Sequence, residues 1–227
     1  MLLPVTGAAA KARHNDPKHK VGRGTSTNWS GYAVPGTNAT HVIGSWIQPA
    51  ATCARKESSW SSPWVGIDGD NSNTVEQIGT DTDCSRGVPF FYAWYEMYPK
   101  SLVQITTVRV QPGDAFTAEV TYTGGSSYLL TLQNTTTGQA FSTTQSASSA
   151  ARSSVEWIME GPSNGTLTNF GSVGFTGSSA TISGQTGTLG SFGGAADPIT
   201  MVGKRGVTRA VPGPVSGDAF SVTWQHG

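Results

Sequence analysis

The chain reads as an all-β domain: a two-sheet antiparallel β-sandwich, lectin-like in the manner of concanavalin A, with almost no helix. Three observations predict it. Gly, Ser, Thr and aromatic residues are abundant while the Ala-Leu-Glu-Lys helix formers are scarce. Short apolar or alternating runs recur roughly every 8–15 residues, with clusters of turn residues between them. A length of 227 residues suits one large sandwich with a sizeable core.

Residues 1–27 mix Lys, Arg, His, Pro and Gly with little apolar periodicity and read as a basic leader, so the folded domain is expected over 28–227. Strand signals then follow in order: HVIGSWIQ (41–48), PWVGID (63–68), TVEQIG (74–79), PFFYAWYEMY (89–98) and LVQITTVRV (102–110). AFTAEVTYT (115–123) alternates cleanly, Phe116, Ala118, Val120 and Tyr122 facing in and Thr117, Glu119 and Thr121 facing out. SYLLTLQN (127–134), SSVEWIMEG (153–161), SVGFTG (172–177), ITMV (199–202) and AFSVTWQ (219–225) complete the set. QPGD (111–114), EGPSNG (160–165) and VPGPVSGD (211–218) are the turns that punctuate it.

Charge narrows the function classes. Charged residues are only 12% of the chain and the formal net charge is zero. That neutrality is a cancellation: Lys11, Arg13, Lys18, Lys20 and Arg23 against Asp16 leave residues 1–23 at +4, and nine basic against thirteen acidic residues leave the rest at −4. The basic cluster lacks the aromatic interleaving of a nucleic-acid binder, and no apolar run reaches the ~18 residues of a membrane span. MLLPVTGAAA, with no positive n-region and broken by Pro4 and Gly7, is a poor signal peptide. Cys53 and Cys84 are the only cysteines, and in an extracellular chain a disulfide between them is the expected pairing. The sequons at Asn28, Asn38, Asn134 and Asn164 are weak signals in so Ser/Thr-rich a chain.

Four histidines without HExxH or clustered ligand spacing point to no metal centre, and no cofactor motif appears. GPSNG (161–165) matches GxSxG in form, but Pro162, Asn164 and Gly165 spell a plain turn rather than a nucleophile elbow at Ser163. What remains are isolated carboxylates and amides in aromatic strands: Asp68, Gln77, Glu96 and Glu156. SSVEWIMEG places Val155, Trp157 and Met159 on one face and Glu156, Ile158 and Glu160 on the other, so Glu156 is set where ionisation is costly. FYAWYEMYP likewise puts Tyr92, Trp94, Glu96 and Tyr98 on one face. Alone, such strands also fit a sugar-binding sandwich, or a glycosidase using Glu96 and Glu156.

In combination NWSGY (28–32), WVGIDG (64–69), EQIGTD (76–81), AWYEMYP (93–99), VEWIMEG (155–161) and TNFGSVGFTG (168–177) resemble, in order, the motifs of the glutamic peptidase family, the eqolisins. The resemblance spans nearly the whole body. It implies two packed antiparallel sheets and pepstatin-insensitive hydrolysis of polypeptides at acid pH by a secreted monomer. It makes Gln77 and Glu156 the catalytic dyad, with Trp64, Asp68, Asp81, Trp94, Glu96 and Glu160 lining or supporting the cleft. Met97 departs from the Trp common at that position, which puts the shape of a substrate subsite in question. The leader resembles the end of a pro-segment, expected to hold the acidic body near neutral pH and release it as carboxylates protonate.

Overall fold

The computed structural model describes residues 24–70 and 72–227. The expected leader therefore lies, up to Arg23, outside the described residues. The strands in chain order are Thr25–Ser26 (β1), Trp29–Pro35 (β2), His41–Ile47 (β3), Ser59–Ile67 (β4), Val75–Ser85 (β5), Val88–Tyr98 (β6), Val103–Ile105 (β7), Ala115–Gly124 (β8) and Ser127–Asn134 (β9). They continue with Gln139–Ser146 (β10), Ser154–Glu160 (β11), Thr166–Leu167 (β12), Ser172–Ile182 (β13), Gln185–Thr188 (β14), Asp197–Val202 (β15), Thr208–Pro212 (β16) and Phe220–Trp224 (β17). Helix among the described residues is confined to 3₁₀ turns at Leu189–Ala195 and Lys204–Gly206.

One sheet runs β7-β6-β5-β4-β11-β2-β15, antiparallel throughout. The other runs β10-β9-β8-β3-β13-β17-β16-β15. β15 belongs to both: Asp197–Ile199 pairs with β2, and Met201 and Val202 pair with β16. The architecture is thus one antiparallel sheet folded over on itself into a barrel-like sandwich, closed along the β15 edge. β1 adds a short parallel pairing to Thr200 and Met201, so Thr25 and Ser26, within the segment 1–27 expected to be leader, belong to the sheet.

Period-2 alternation decides what fills the sandwich. Val34, Val65, Ile67, Ile78, Val155 and Trp157 of the first sheet meet Val42, Trp46, Phe116, Val120, Leu130 and Phe175 of the second in one buried cluster. Two indoles satisfy their N–H groups across the sandwich: Trp157 Nε1 donates to Ile43 O at 2.8 Å and Trp46 Nε1 to Thr80 Oγ1 at 2.9 Å. Met97 belongs to this interior cluster too, so its departure from Trp alters core packing rather than a substrate subsite. The run 102–110 yields a strand only at Val103–Ile105; beyond it the chain leaves the sheet edge, and Val108 and Val110 fill the core as loop residues. Asn28 and Asn134 are fully buried, which removes both sequons from use, whereas Asn38 and Asn164 are exposed.

Cys53 and Cys84 are joined in a disulfide that ties the segment before β4 to the end of β5. Closing a loop of 31 residues restricts the unfolded chain, and reduction is expected to cost on the order of 3–4 kcal/mol. Thermal melts with and without reductant check this; equal melting temperatures would contradict it.

Candidate active site

The second buried aromatic cluster, Trp29, Trp64, Tyr92, Trp94 and Ile158 with Phe90 and Tyr98 packed on it, lies on the outer face of the first sheet. Register turns this face into rungs. One rung reads Ala33, Glu156, Gly66, Gln77, Glu96 across β2, β11, β4, β5 and β6. The next reads Gly31, Ile158, Trp64, Gly79, Trp94, and the third Trp29, Glu160, Ser62, Asp81, Tyr92. Gln77, Glu156, Trp64, Asp81, Trp94, Glu96 and Glu160 therefore lie on one face, within three rungs.

Gly66 is what makes the first rung a site. Glu156 and Gln77 stand two strands apart, about 10 Å between backbones at ~4.8 Å per strand, and Gly66, the residue between them, contributes no side chain of its own. A Cβ there would come within 2.9 Å of the Trp64 ring, 3.2 Å of Gln77 Cβ and 3.2 Å of Glu76 O. Gly66→Ala is expected to destabilise the fold by about 1–3 kcal/mol, and its methyl to cut turnover by ~10-fold or more by displacing Trp64 and Gln77, which it would crowd. Melting curves and kcat measured on the same preparation check both; wild-type kcat would show that turnover does not depend on the placement of these neighbours.

Glu156 is fully buried. Its Oε1 accepts the Asp70 N–H at 3.4 Å, and its Oε2 has no hydrogen-bond partner among the described residues. Burial pushes this carboxyl well above the ordinary 4.5, and Asp68 and Asp70 add repulsion, against opposing hydrogen bonds from the Ser154 hydroxyl and the Asp70 N–H. Gln77, 2% exposed, donates one Nε2 hydrogen to Glu96 Oε2 at 2.8 Å, and its Oε1 likewise lacks a partner among the described residues. Glu96 thus fixes the amide and leaves it one acceptor and one further donor hydrogen.

The neighbouring rungs hold this arrangement in place. Glu160 accepts Trp64 Nε1 at 2.9 Å and Asn28 Nδ2 at 3.1 Å, and Trp64 meets Trp29 edge to face at 4.7 Å. Trp94 Nε1 donates to Ser62 Oγ at 2.9 Å, and Ser62 Oγ donates to Thr80 O at 2.8 Å. The two indoles flank Gly79, where a Cβ would stand 2.4 Å from Pro63 O and 2.6 Å from Trp64 Cβ. Asp81 is pushed up to about 6, chiefly by burial with a contribution from Glu160, against hydrogen bonds from Tyr92, the Thr82 N–H and Asp83. Beyond the third rung opens a cleft of about 470 Å³ lined by Trp60, Asp83, Phe90, Tyr92 and Asn164. It includes neither Glu156 nor Gln77. Its Pro162–Gly165 wall is braced by buried Arg209, which donates to Pro162 O at 2.5 Å and Gly165 O at 3.0 Å.

Asp68 occupies a different place from the other expected residues. It follows β4 in the left-handed region, φ 69°, and accepts the backbone N–H groups of Arg152 at 2.8 Å and Ser153 at 2.7 Å and the Ser153 hydroxyl at 2.9 Å. It supports the entry to β11 rather than lining the cleft.

The outer face of the first sheet thus sets a buried carboxyl and a fixed carboxamide on one rung, either side of Gly66, with the Trp64 and Trp94 indoles on the next. The chain matches the Peptidase A4 family over residues 27–224, and it belongs to that family. It is 31% identical to Aspergillopepsin-2 of Aspergillus niger over 95% of this chain and 88% of that one. With Scytalidopepsin B of Scytalidium lignicola it shares 33% identity over 59% of this chain and 51% of that one. The crystal structure of scytalido-glutamic peptidase with a transition state analog inhibitor superposes with a TM-score of 0.75 at 29% identity, covering 87% of this chain and 98% of that one. Aspergilloglutamic peptidase from Aspergillus niger gives 0.63 at 31% identity, covering 73% and 99%. The protein is a peptide hydrolase of the glutamic endopeptidase class.

Proposed function

We propose that the chain is a secreted endopeptidase working in acid, in which Glu156 transfers protons and Gln77 holds the attacking water and the developing oxyanion. The observation that carries this reading is the shared rung Glu156–Gly66–Gln77–Glu96, in which one oxygen of the first and of the third side chain has no hydrogen-bond partner among the described residues.

A neutral carboxyl suits both halves of the reaction. As water attacks the scissile carbonyl carbon, the carbonyl oxygen of Glu156 takes a water proton while its O–H proton passes to the carbonyl oxygen of the substrate. Gln77 Oε1 accepts from the same water, and the remaining Nε2 hydrogen donates to the substrate carbonyl oxygen as its carbon becomes tetrahedral. On collapse the carboxyl protonates the leaving nitrogen and takes a hydroxyl proton from the diol, so the C–N bond breaks and Glu156 ends as it began. The form that acts is the protonated one, which burial maintains, and acid activity follows from it.

The aromatic strands do not read as sugar platforms: Trp64 and Trp94 are 0% exposed, and a stacking platform needs an open ring face. The cleft beside Tyr92 lies about 13 Å along the strands from the Glu156 rung, the length of four extended residues, and suits a remote stretch of polypeptide. Digestion of casein at about pH 3–4 with pepstatin present is the test. Internal cleavage that pepstatin leaves intact is expected; casein left whole, or digestion blocked by pepstatin, would overturn the proposal.

A further inference from the structure

The residue before Gln77 presents the same anomaly as Glu156, on the opposite face of the sheet. Glu76 is 0% exposed, and neither carboxyl oxygen meets a hydrogen-bond donor among the described residues. The group beside it is Asp68, itself an acceptor that already takes the Arg152 and Ser153 N–H groups and the Ser153 hydroxyl. Two facing acceptors bond only if one of them carries a proton. Asp68 has donors enough to remain the acceptor, so the proton belongs on Glu76.

We propose that Glu76 is a positioning residue: its protonated carboxyl donates to Asp68 and so couples the strand that carries Gln77 to the strand that carries Glu156. The chain of bonds is short at both ends. Glu76 is covalently next to Gln77, and Asp68 holds Ser153, three residues before Glu156. Thr74, just before β5, adds a longer bond from its Oγ1 to Asp68 Oδ2 at 3.4 Å. The inference rests on the dyad proposed above, because what it positions is the spacing of that dyad.

Losing the proton reverses the contact. Two adjacent carboxylates repel in a buried setting, and Asp68 is driven from the Arg152–Ser153 backbone it anchors. The charged and titratable groups near the pair are Arg152, whose guanidinium lies 4.2 Å over the Tyr122 ring, Tyr122 of β8 and Tyr128 of β9. Tyr95 of β6 shares the inner face further along, and Glu96 and Glu156 lie across the sheet. Arg152 is engaged with Tyr122 and with Asn38 Oδ1 at 3.1 Å, and it makes no bond to Glu76. Burial first, and Asp68 second, push Glu76 up to about 9. A carboxyl raised on folding binds its proton more tightly in the native state. Its contribution is whole below the unfolded value of 4.5 and is lost as pH rises toward about 9.

The test compares Glu76→Gln and Glu76→Ala with the wild-type chain, measuring kcat and KM on one peptide at about pH 3.5 and melting temperature from about pH 4 to pH 8. The amide keeps a neutral donor, so Glu76→Gln is expected within ~3-fold of wild-type kcat and with a shallower fall of melting temperature at rising pH. Glu76→Ala is expected to lose ~10-fold or more in kcat with KM within ~3-fold, because the dyad loses its spacing rather than its substrate. Wild-type kcat in folded Glu76→Ala, Glu76→Gln as impaired as Glu76→Ala, or identical pH slopes for wild type and Glu76→Gln would each overturn the proposal. If the alanine variant does not fold, the glutamine slope decides alone. An active Glu156→Gln enzyme would instead remove the dyad reading, and that slope would still report on the Glu76–Asp68 pair.

Discussion

Glu156→Gln will abolish turnover while leaving the fold intact. The substitution is close to isosteric, and at a position where burial already holds the carboxyl neutral it adds no desolvation cost. What it removes is a proton that can be given and taken back. Positioned acid–base groups contribute ~10²–10⁴ in rate, and here one group serves both half-reactions, so the loss should sit at the upper end of that range. Circular dichroism and melting temperature establish that the purified variant is folded, and peptide cleavage is followed by mass spectrometry. A folded variant retaining more than about 5% of wild-type kcat would be outside anything a proton-transfer role allows.

Gln77→Ala should cost ~10²–10³ in kcat, the usual penalty for losing a fixed oxyanion donor. Gln77→Glu should not restore the activity. Glu96 Oε2 lies 2.8 Å from the Gln77 nitrogen, so a glutamate at 77 would set two carboxyls against each other and would offer no amide hydrogens. The expected signature is a fall in kcat with KM little changed, since the amide acts on charge that develops only as water attacks. A Gln77→Ala enzyme within about tenfold of wild type would remove the amide from the mechanism.

The face of each residue was legible in the sequence, and the rungs were not. SSVEWIMEG and FYAWYEMYP alternate, and alternation alone sets Val155 and Trp157 on the face opposite Glu156 and Ile158, and Tyr95 and Met97 opposite Trp94 and Glu96; the two buried clusters divide Val155, Trp157 and Met97 from Ile158 and Trp94 in the same way. Which residues share a rung depends on the registers of β11 on β4, β4 on β5 and β5 on β6, and register is set by long-range packing that no local pattern carries. Gly66 is illegible for that reason: its place between Glu156 and Gln77 is set by pairings with strands that are not its sequence neighbours. Glu76 is legible from alternation: it shares a face with Ile78, as Glu156 does with Ile158.

The remaining mismatches are loop effects. Asp68 sits at a strand end, where alternation no longer applies and a positive φ turns the side chain back toward Ser153. Asn28 carries a sequon, yet its amide is committed to Glu160 inside the aromatic cluster. Neither could be read from spacing, because each depends on a contact made by a distant part of the chain.

The most direct test of the central claim, that Glu156 works from its protonated form, is the pH dependence of kcat/KM on one quenched peptide. It should be recorded from about pH 3 to about pH 8 at a temperature where the enzyme stays folded throughout. The account predicts a single fall as pH rises, with its midpoint above the ordinary glutamate value of 4.5, because burial holds the acting proton on Glu156 past that point. Activity that instead climbs with pH beyond 4.5 would mean that an ionised base does the work, and would contradict it.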